Sequence, residues 1–245
     1  MTTVPQYLAA VDDSTKWATE DPVIAAALLD RAGIAAADIE PMRLLLPKIQ
    51  TAWAGAQAAG GPKVQATQSL QVSLEDMKAE VSDLRQTMKN NLPTNDPLFT
   101  QLGLTDKQPA GQDGFLAYAV RAFMNGQELT QQQIAPLARR KWDKARFEAA
   151  LAKAQAAQAS NDAQEGAKAA AKVATDQMYG LIDQLDVLFR PFAKDARRVL
   201  DKIPGALDKM QLAKGVPSKP LRPVYKPNGK KAGNGSNGNG SGSSA

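Results

Sequence analysis

Carboxylates are the residues of this chain whose spacing comes nearest to a catalytic or metal-binding pattern. Four of them crowd one predicted helix: Glu75, Asp76, Glu80 and Asp83. Another predicted helix carries a D-x-x-D pair, Asp183 and Asp186. If the two helices faced each other, these oxygens could bind Mg²⁺ or Ca²⁺. At about 100° per residue, however, Asp183 lies about 200° around the helix from the apolar Leu181. We therefore favour a solvated helix face and predict no metal site.

Histidine and cysteine are both absent from the 245 residues. Their absence excludes a Ser-His-Asp triad, a cysteine nucleophile, a zinc finger and a histidine-ligated di-iron site. No G-x-x-x-x-G-K-[ST] phosphate-binding loop occurs either. We predict that the protein is not an enzyme and has no cofactor, and we assign no catalytic, cofactor-binding or metal-ligating residue.

Basic residues form one local cluster in the body of the chain. It consists of Arg139, Arg140, Lys141, Lys144 and Arg146. Such a cluster could contact nucleic acid or an anionic membrane. Acidic residues at 143 and 148 supply counter-charges, so we favour an exposed helix face without a ligand.

The end of the chain has a different charge balance. Residues 211–245 contain six basic residues and no acidic one, which leaves 24 basic and 25 acidic residues in the first 210. Prolines at 217, 220, 223 and 227 favour extended polyproline II, and the Gly, Asn and Ser residues that follow favour disorder. We interpret 211–245 as a disordered basic tail. It is either an inert spacer or a partner-binding segment that acts through Lys219, Arg222, Lys226, Lys230 and Lys231.

Helices must position all of these residues. One apolar stripe steps by three or four residues: Leu70, Leu74, Met77, Val81, Leu84, Met88 and Leu92. A second runs along the last predicted helix: Leu181, Leu185, Leu188, Phe192, Ala196, Val199 and Ile203. Trp53 and Trp142 also fall on predicted helices, where we interpret them as core anchors.

Helix ends are marked by caps, prolines and glycines. Asp21 before Pro22 predicts an N-cap, and Gly33 a stop. Thr130 with Gln133 predicts a capping box that opens a helix running toward residue 160. Breaks are expected at residues 60–62, where two glycines precede a proline, and at residues 160–166.

These elements predict an all-α protein. Residues 1–210 are expected to form an elongated antiparallel helical bundle of coiled-coil type, with four main helices plus short helices. The two halves, 20–105 and 115–212, resemble each other at offsets of 95 and then 111. They are either an internal duplication or chance matches between Ala-rich helices.

The functional prediction is a non-enzymatic structural or protein-interaction protein, a helical scaffold that binds partners or self-assembles as a homo-oligomer. The alternative is a nucleic-acid- or anionic-surface-associated protein that acts through its basic tail. Membrane association through an amphipathic segment is a further alternative. No transmembrane segment and no signal peptide are evident, so a cytoplasmic location is expected.

Overall fold

The computed structural model describes residues 2–94, 96–105 and 107–223. All of its regular structure is helical over those residues, which confirms the predicted fold class. The helices are α1 Val4–Glu20, α2 Pro22–Ala32, α3 Ala36–Asn91, α4 Pro97–Gln101, α5 Gln112–Gln127, α6 Gln131–Ala138, α7 Lys144–Leu200 and α8 Ala206–Lys209.

The chain divides into two compact units. Unit 1 is drawn from Met1–Glu40 and Asp186–Ala245, and unit 2 from Pro41–Leu185. The long helices α3 and α7 therefore contribute residues to both units.

In unit 1, α1 packs against α2 and α8. The Tyr7 ring of α1 meets Phe189 of α7 edge-on, with 6.3 Å between ring centroids. Ser14 donates a hydrogen bond of 2.5 Å to the carbonyl oxygen of Met210, which joins α1 to the segment after α8.

In unit 2, α3 and α7 pack antiparallel. The pairing is visible in their polar contacts, because Lys153 of α7 reaches Glu80 of α3 whereas Gln164 reaches back to Thr67. Four residues of the apolar stripe predicted on α3 are buried in the core here, together with apolar residues of α4, α5 and α6. The core also contains Trp142, Phe123 and Phe147.

Several predicted helix ends are confirmed. Asp21 accepts hydrogen bonds from two backbone N–H groups of α2, and Gly33 ends that helix at φ 68°. Thr130 and Gln133 form the expected capping box of α6. That helix ends already at Ala138, however, because the chain turns through Lys141 at φ 69° before α7 begins.

Two predicted breaks are wrong. Helix α3 continues through residues 60–62, and α7 continues through residues 160–166. The four main helices expected from the sequence are therefore two, of 56 and 57 residues. Pro62 is exposed, so water can solvate the carbonyl group left without its usual donor. Antiparallel pairing of the two helices then outweighs the weak local propensity.

Except in α2 and α6, buried positions of the two halves of the chain recur at one offset of 108 residues, whereas the sequence matches were at offsets of 95 and 111. The element order short, short, long, short occurs twice, in α1–α4 and in α5–α8. Buried residues recur at this offset in pairs: Tyr7 and Phe115, Val11 and Ala119, Ile39 and Phe147, Met42 and Ala150, Leu70 and Met178, Leu84 and Phe192. Positive φ angles recur as well, at Gly33 and Lys141 and at Gly103 and Gln211. A common origin of the halves stays a prediction.

Candidate functional site

A group of charged side chains joins α3 to α7 in unit 2. We call it the Glu80 cluster: Glu80, Asp83, Trp142, Arg146 and Lys153. The carboxylate of Glu80 accepts a 2.6 Å hydrogen bond from Arg146 Nη2 and a 2.7 Å hydrogen bond from Lys153 Nζ. Its side chain is only 11% exposed, whereas those of Arg146 and Lys153 are 38% and 55% exposed. One buried anion is thus held by two cations that still reach solvent.

Trp142 anchors this cluster to the apolar core. Its indole N–H donates to Asp83 Oδ2 at 2.8 Å, and the Arg146 guanidinium lies 5.0 Å from its ring centroid. The indole stacks on Phe123, with centroids 6.0 Å apart and planes 10° apart. Trp142 is fully buried, which confirms the predicted core anchor, but it lies between α6 and α7 and not on a helix as predicted. Trp53 of α3 is only half-buried.

The ionised form of Glu80 is the favoured one. Burial alone would raise the pKa of this carboxyl. The hydrogen bonds from Lys153 and Arg146, with the attraction of both cations, outweigh burial and hold the pKa below its usual value. The carboxylate therefore acts as a fixed negative charge that ties the two helices together.

The remaining acidic residues singled out in the sequence do not converge. Asp186 in unit 1 accepts hydrogen bonds from the Tyr7 hydroxyl at 3.2 Å and from Arg190. Asp183 is exposed, as expected for a solvated face. Among the described residues there is no group of three or more acidic side chains placed to hold a metal ion.

The basic cluster of the sequence is divided by the fold. Arg139, Arg140 and Lys141 are exposed in the turn between α6 and α7. Arg146 instead points to Glu80, and its backbone N–H is capped by Asp143 at 2.8 Å. The counter-charge for Arg146 therefore comes from α3, 66 residues away in the sequence.

The predicted tail is described only as far as Pro223. Within that part Lys219 is half-buried and Arg222 is exposed, while Lys226, Lys230 and Lys231 lie outside the described residues. Leu212 and Pro220 are buried, so the chain packs beyond the boundary that we drew at residue 211. The sequence hides this because isolated apolar residues among prolines carry no periodic signal.

The Glu80 cluster itself was not predicted as a unit. The sequence patterns single out Glu80, Asp83, Trp142 and Arg146 in separate contexts and do not single out Lys153. Its signal is the seven-residue spacing of Arg146 and Lys153, which puts both cations on one face of α7. Only the register between α3 and α7 brings that face to Glu80.

No helix among the described residues is both long and apolar enough to cross a membrane. No protein-family model matches the chain, and comparison with curated proteins and with solved structures finds no similar protein.

Proposed function

We propose that this chain is a non-enzymatic structural or protein-interaction protein, a helical scaffold whose long helices bind a partner or a second copy of the chain. The observation that supports this proposal is that buried charged side chains of unit 2 bind each other. In the Glu80 cluster, each carboxylate is held by a cation or an N–H group from another part of unit 2. Such groups stabilise a helix pair, and their polar atoms are already engaged with each other.

The outer faces of the paired helices support a role in association. Val64 and Val72 of α3 are 57% and 61% exposed, and Val173 of α7 is 54% exposed. The first 210 residues carry a formal charge close to zero, with 24 basic and 25 acidic residues. Charge repulsion would therefore oppose self-association only weakly.

Light scattering on the intact chain over a wide concentration range tests self-association. We expect the apparent mass to rise with concentration, and a V64Q/V72Q/V173Q variant to weaken that rise. The matched control is V23Q/L29Q, which changes valine and leucine side chains that are 60% and 54% exposed on α2 of unit 1. A strict monomer at high concentration, together with no partner recovered by pull-down, would contradict the proposal.

The alternative function, binding of nucleic acid or an anionic surface, rests on the six basic residues after position 210. Its test must respect the burial of Leu212 and Pro220. A chain ending at Pro223 removes Lys226, Lys230 and Lys231 and keeps those apolar contacts. Salt-dependent binding of DNA, RNA or anionic vesicles by the full chain, lost in this truncation, would support the alternative. No binding at low salt would exclude it.

A further inference from the structure

The apolar seam in the middle of the α3–α7 pair in unit 2 is thin, because its half-buried apolar residues are mostly alanines. No residue of α3 between Ile49 and Leu70 is a buried apolar residue. The same holds on α7 between Ala157 and Met178. Over these stretches the two helices therefore bury less apolar area than they do at both ends of the pair.

Buried polar side chains accompany the thin apolar seam in this stretch. The only buried side chains on the middle of α7 are those of Asn161 and Gln164. Gln164 donates to Thr67 Oγ1 of α3 at 3.0 Å and accepts from Lys168 at 2.8 Å. The Asn161 side chain forms hydrogen bonds with the side chains of Gln112 and Asp113 of α5. Net stabilisation by such hydrogen bonds is modest, because water competes for the same groups once the helices part.

The two helices also differ in how well their own residues favour a helix here. The stretch of α3 contains Gly55, Gly60, Gly61 and Pro62, whereas the facing stretch of α7 is rich in alanine and lysine. Relative to alanine, each glycine lowers the helical equilibrium by about fivefold and a proline by more than about 100-fold. Helix α3 is therefore the weaker partner.

We propose that residues 55–67 of α3 form a hinge, which opens from α7 by local unfolding while the segment 77–88 stays folded. The opening requires neither global unfolding nor loss of helix in α7. It makes this stretch the preferred place for α3 to bend or to be cleaved, whatever partner the protein binds. The hinge rests on local stability alone and does not depend on the proposed scaffold function.

Amide hydrogen exchange of the full-length chain, followed by mass spectrometry of peptides, tests the hinge. We expect peptides from 55–67 to exchange at least about tenfold faster than those from 77–88 and from 164–176, after correction for intrinsic rates. Equal protection of 55–67 and 77–88 would overturn the proposal.

A helix-strengthening variant makes the test specific. In G60A/G61A the new methyl groups meet no atom within 4 Å, so the substitution adds propensity without a clash. We expect exchange of 55–67 to slow by about 25-fold, fivefold for each glycine. The matched control is G166A on α7, where an added methyl group also meets nothing within 4 Å. If G166A slows exchange of 55–67 by about fivefold, the amount expected of one glycine, the helix pair opens as one unit and the hinge is refuted.

Discussion

Replacing Glu80 with glutamine tests whether the Glu80 cluster stabilises unit 2 through charge. The variant keeps the size of the side chain and removes the negative charge that Arg146 and Lys153 share. Hydrogen bonds to charged groups contribute about 1.5–3 kcal/mol each when buried. Both cations remain partly exposed, at 38% and 55%, so water can solvate them after the change. We therefore expect a total loss of only about 1–2 kcal/mol in the free energy of unfolding at pH 7.

The pH dependence of this loss separates charge from packing. The folded state holds the pKa of Glu80 below its usual value near 4.5, so its contribution is present in full above about pH 5. As the pH falls below 4.5, the unfolded carboxyl takes up its proton first, and the contribution disappears as the folded one follows. Wild type and E80Q should therefore differ at pH 7, and the difference should shrink as the pH falls below 4.5.

Urea denaturation followed by circular dichroism at several pH values measures this difference. The matched control is E75Q on the same helix, whose carboxylate accepts only an exposed 3.2 Å hydrogen bond from Gln71 among the contacts described, and which should change stability by less than about 0.5 kcal/mol. Equal stability of wild type and E80Q at pH 7 would refute the stabilising role. A difference that persists undiminished at pH 3 would show that the variant acts through packing.

Two further predictions concern substitutions from or to glycine. G126A should destabilise unit 2 by about 1–3 kcal/mol, because the added methyl group overlaps the ring of Phe147; G166A, which meets open space, is the control in the same denaturation assay. K141G should raise the free energy of unfolding by about 1 kcal/mol, because Lys141 occupies the left-handed region at φ 69° that suits glycine. An unchanged or lowered stability of K141G would contradict the argument from backbone strain.

The helical spacing of apolar residues predicts the buried side chains correctly where the stripe packs against a core. Of the stripe predicted on α3, Leu70, Met77, Val81, Leu84 and Met88 are all buried. On α7 the spacing predicts the buried side chains less accurately, because Leu188 is 41% exposed while its neighbour Phe189 is fully buried. Apolar residues are so closely spaced there that two helical stripes fit the sequence, one through Leu188 and one through Phe189. Only contacts with Tyr7 and other core residues of unit 1 select the right one.

The false breaks have a different cause. Glycine and proline at 60–62 report the local preference of α3, and that preference is indeed poor. Helix α3 continues because it packs against α7. The Gln164 side chain of α7 donates a hydrogen bond to Thr67, just after residues 60–62. A single sequence contains no measure of such a distant contact. The same limit applies to Glu80, whose partners lie 66 and 73 residues away.

The 108-residue repeat shows which features of each half are structural and which are particular to one half. Positions with positive φ occur in both, although one half uses glycine and the other uses Lys141 and Gln211. The backbone turn is therefore required by the fold, and glycine is only the easier way to make it. The Glu80 cluster behaves differently: Leu188 stands at the position equivalent to Glu80, Asp38 at that of Arg146 and Leu45 at that of Lys153. Since the same backbone pattern forms without these charges, the cluster is not needed to specify the fold. We infer that it adjusts the stability of unit 2, which is why its removal should cost little and should depend on pH.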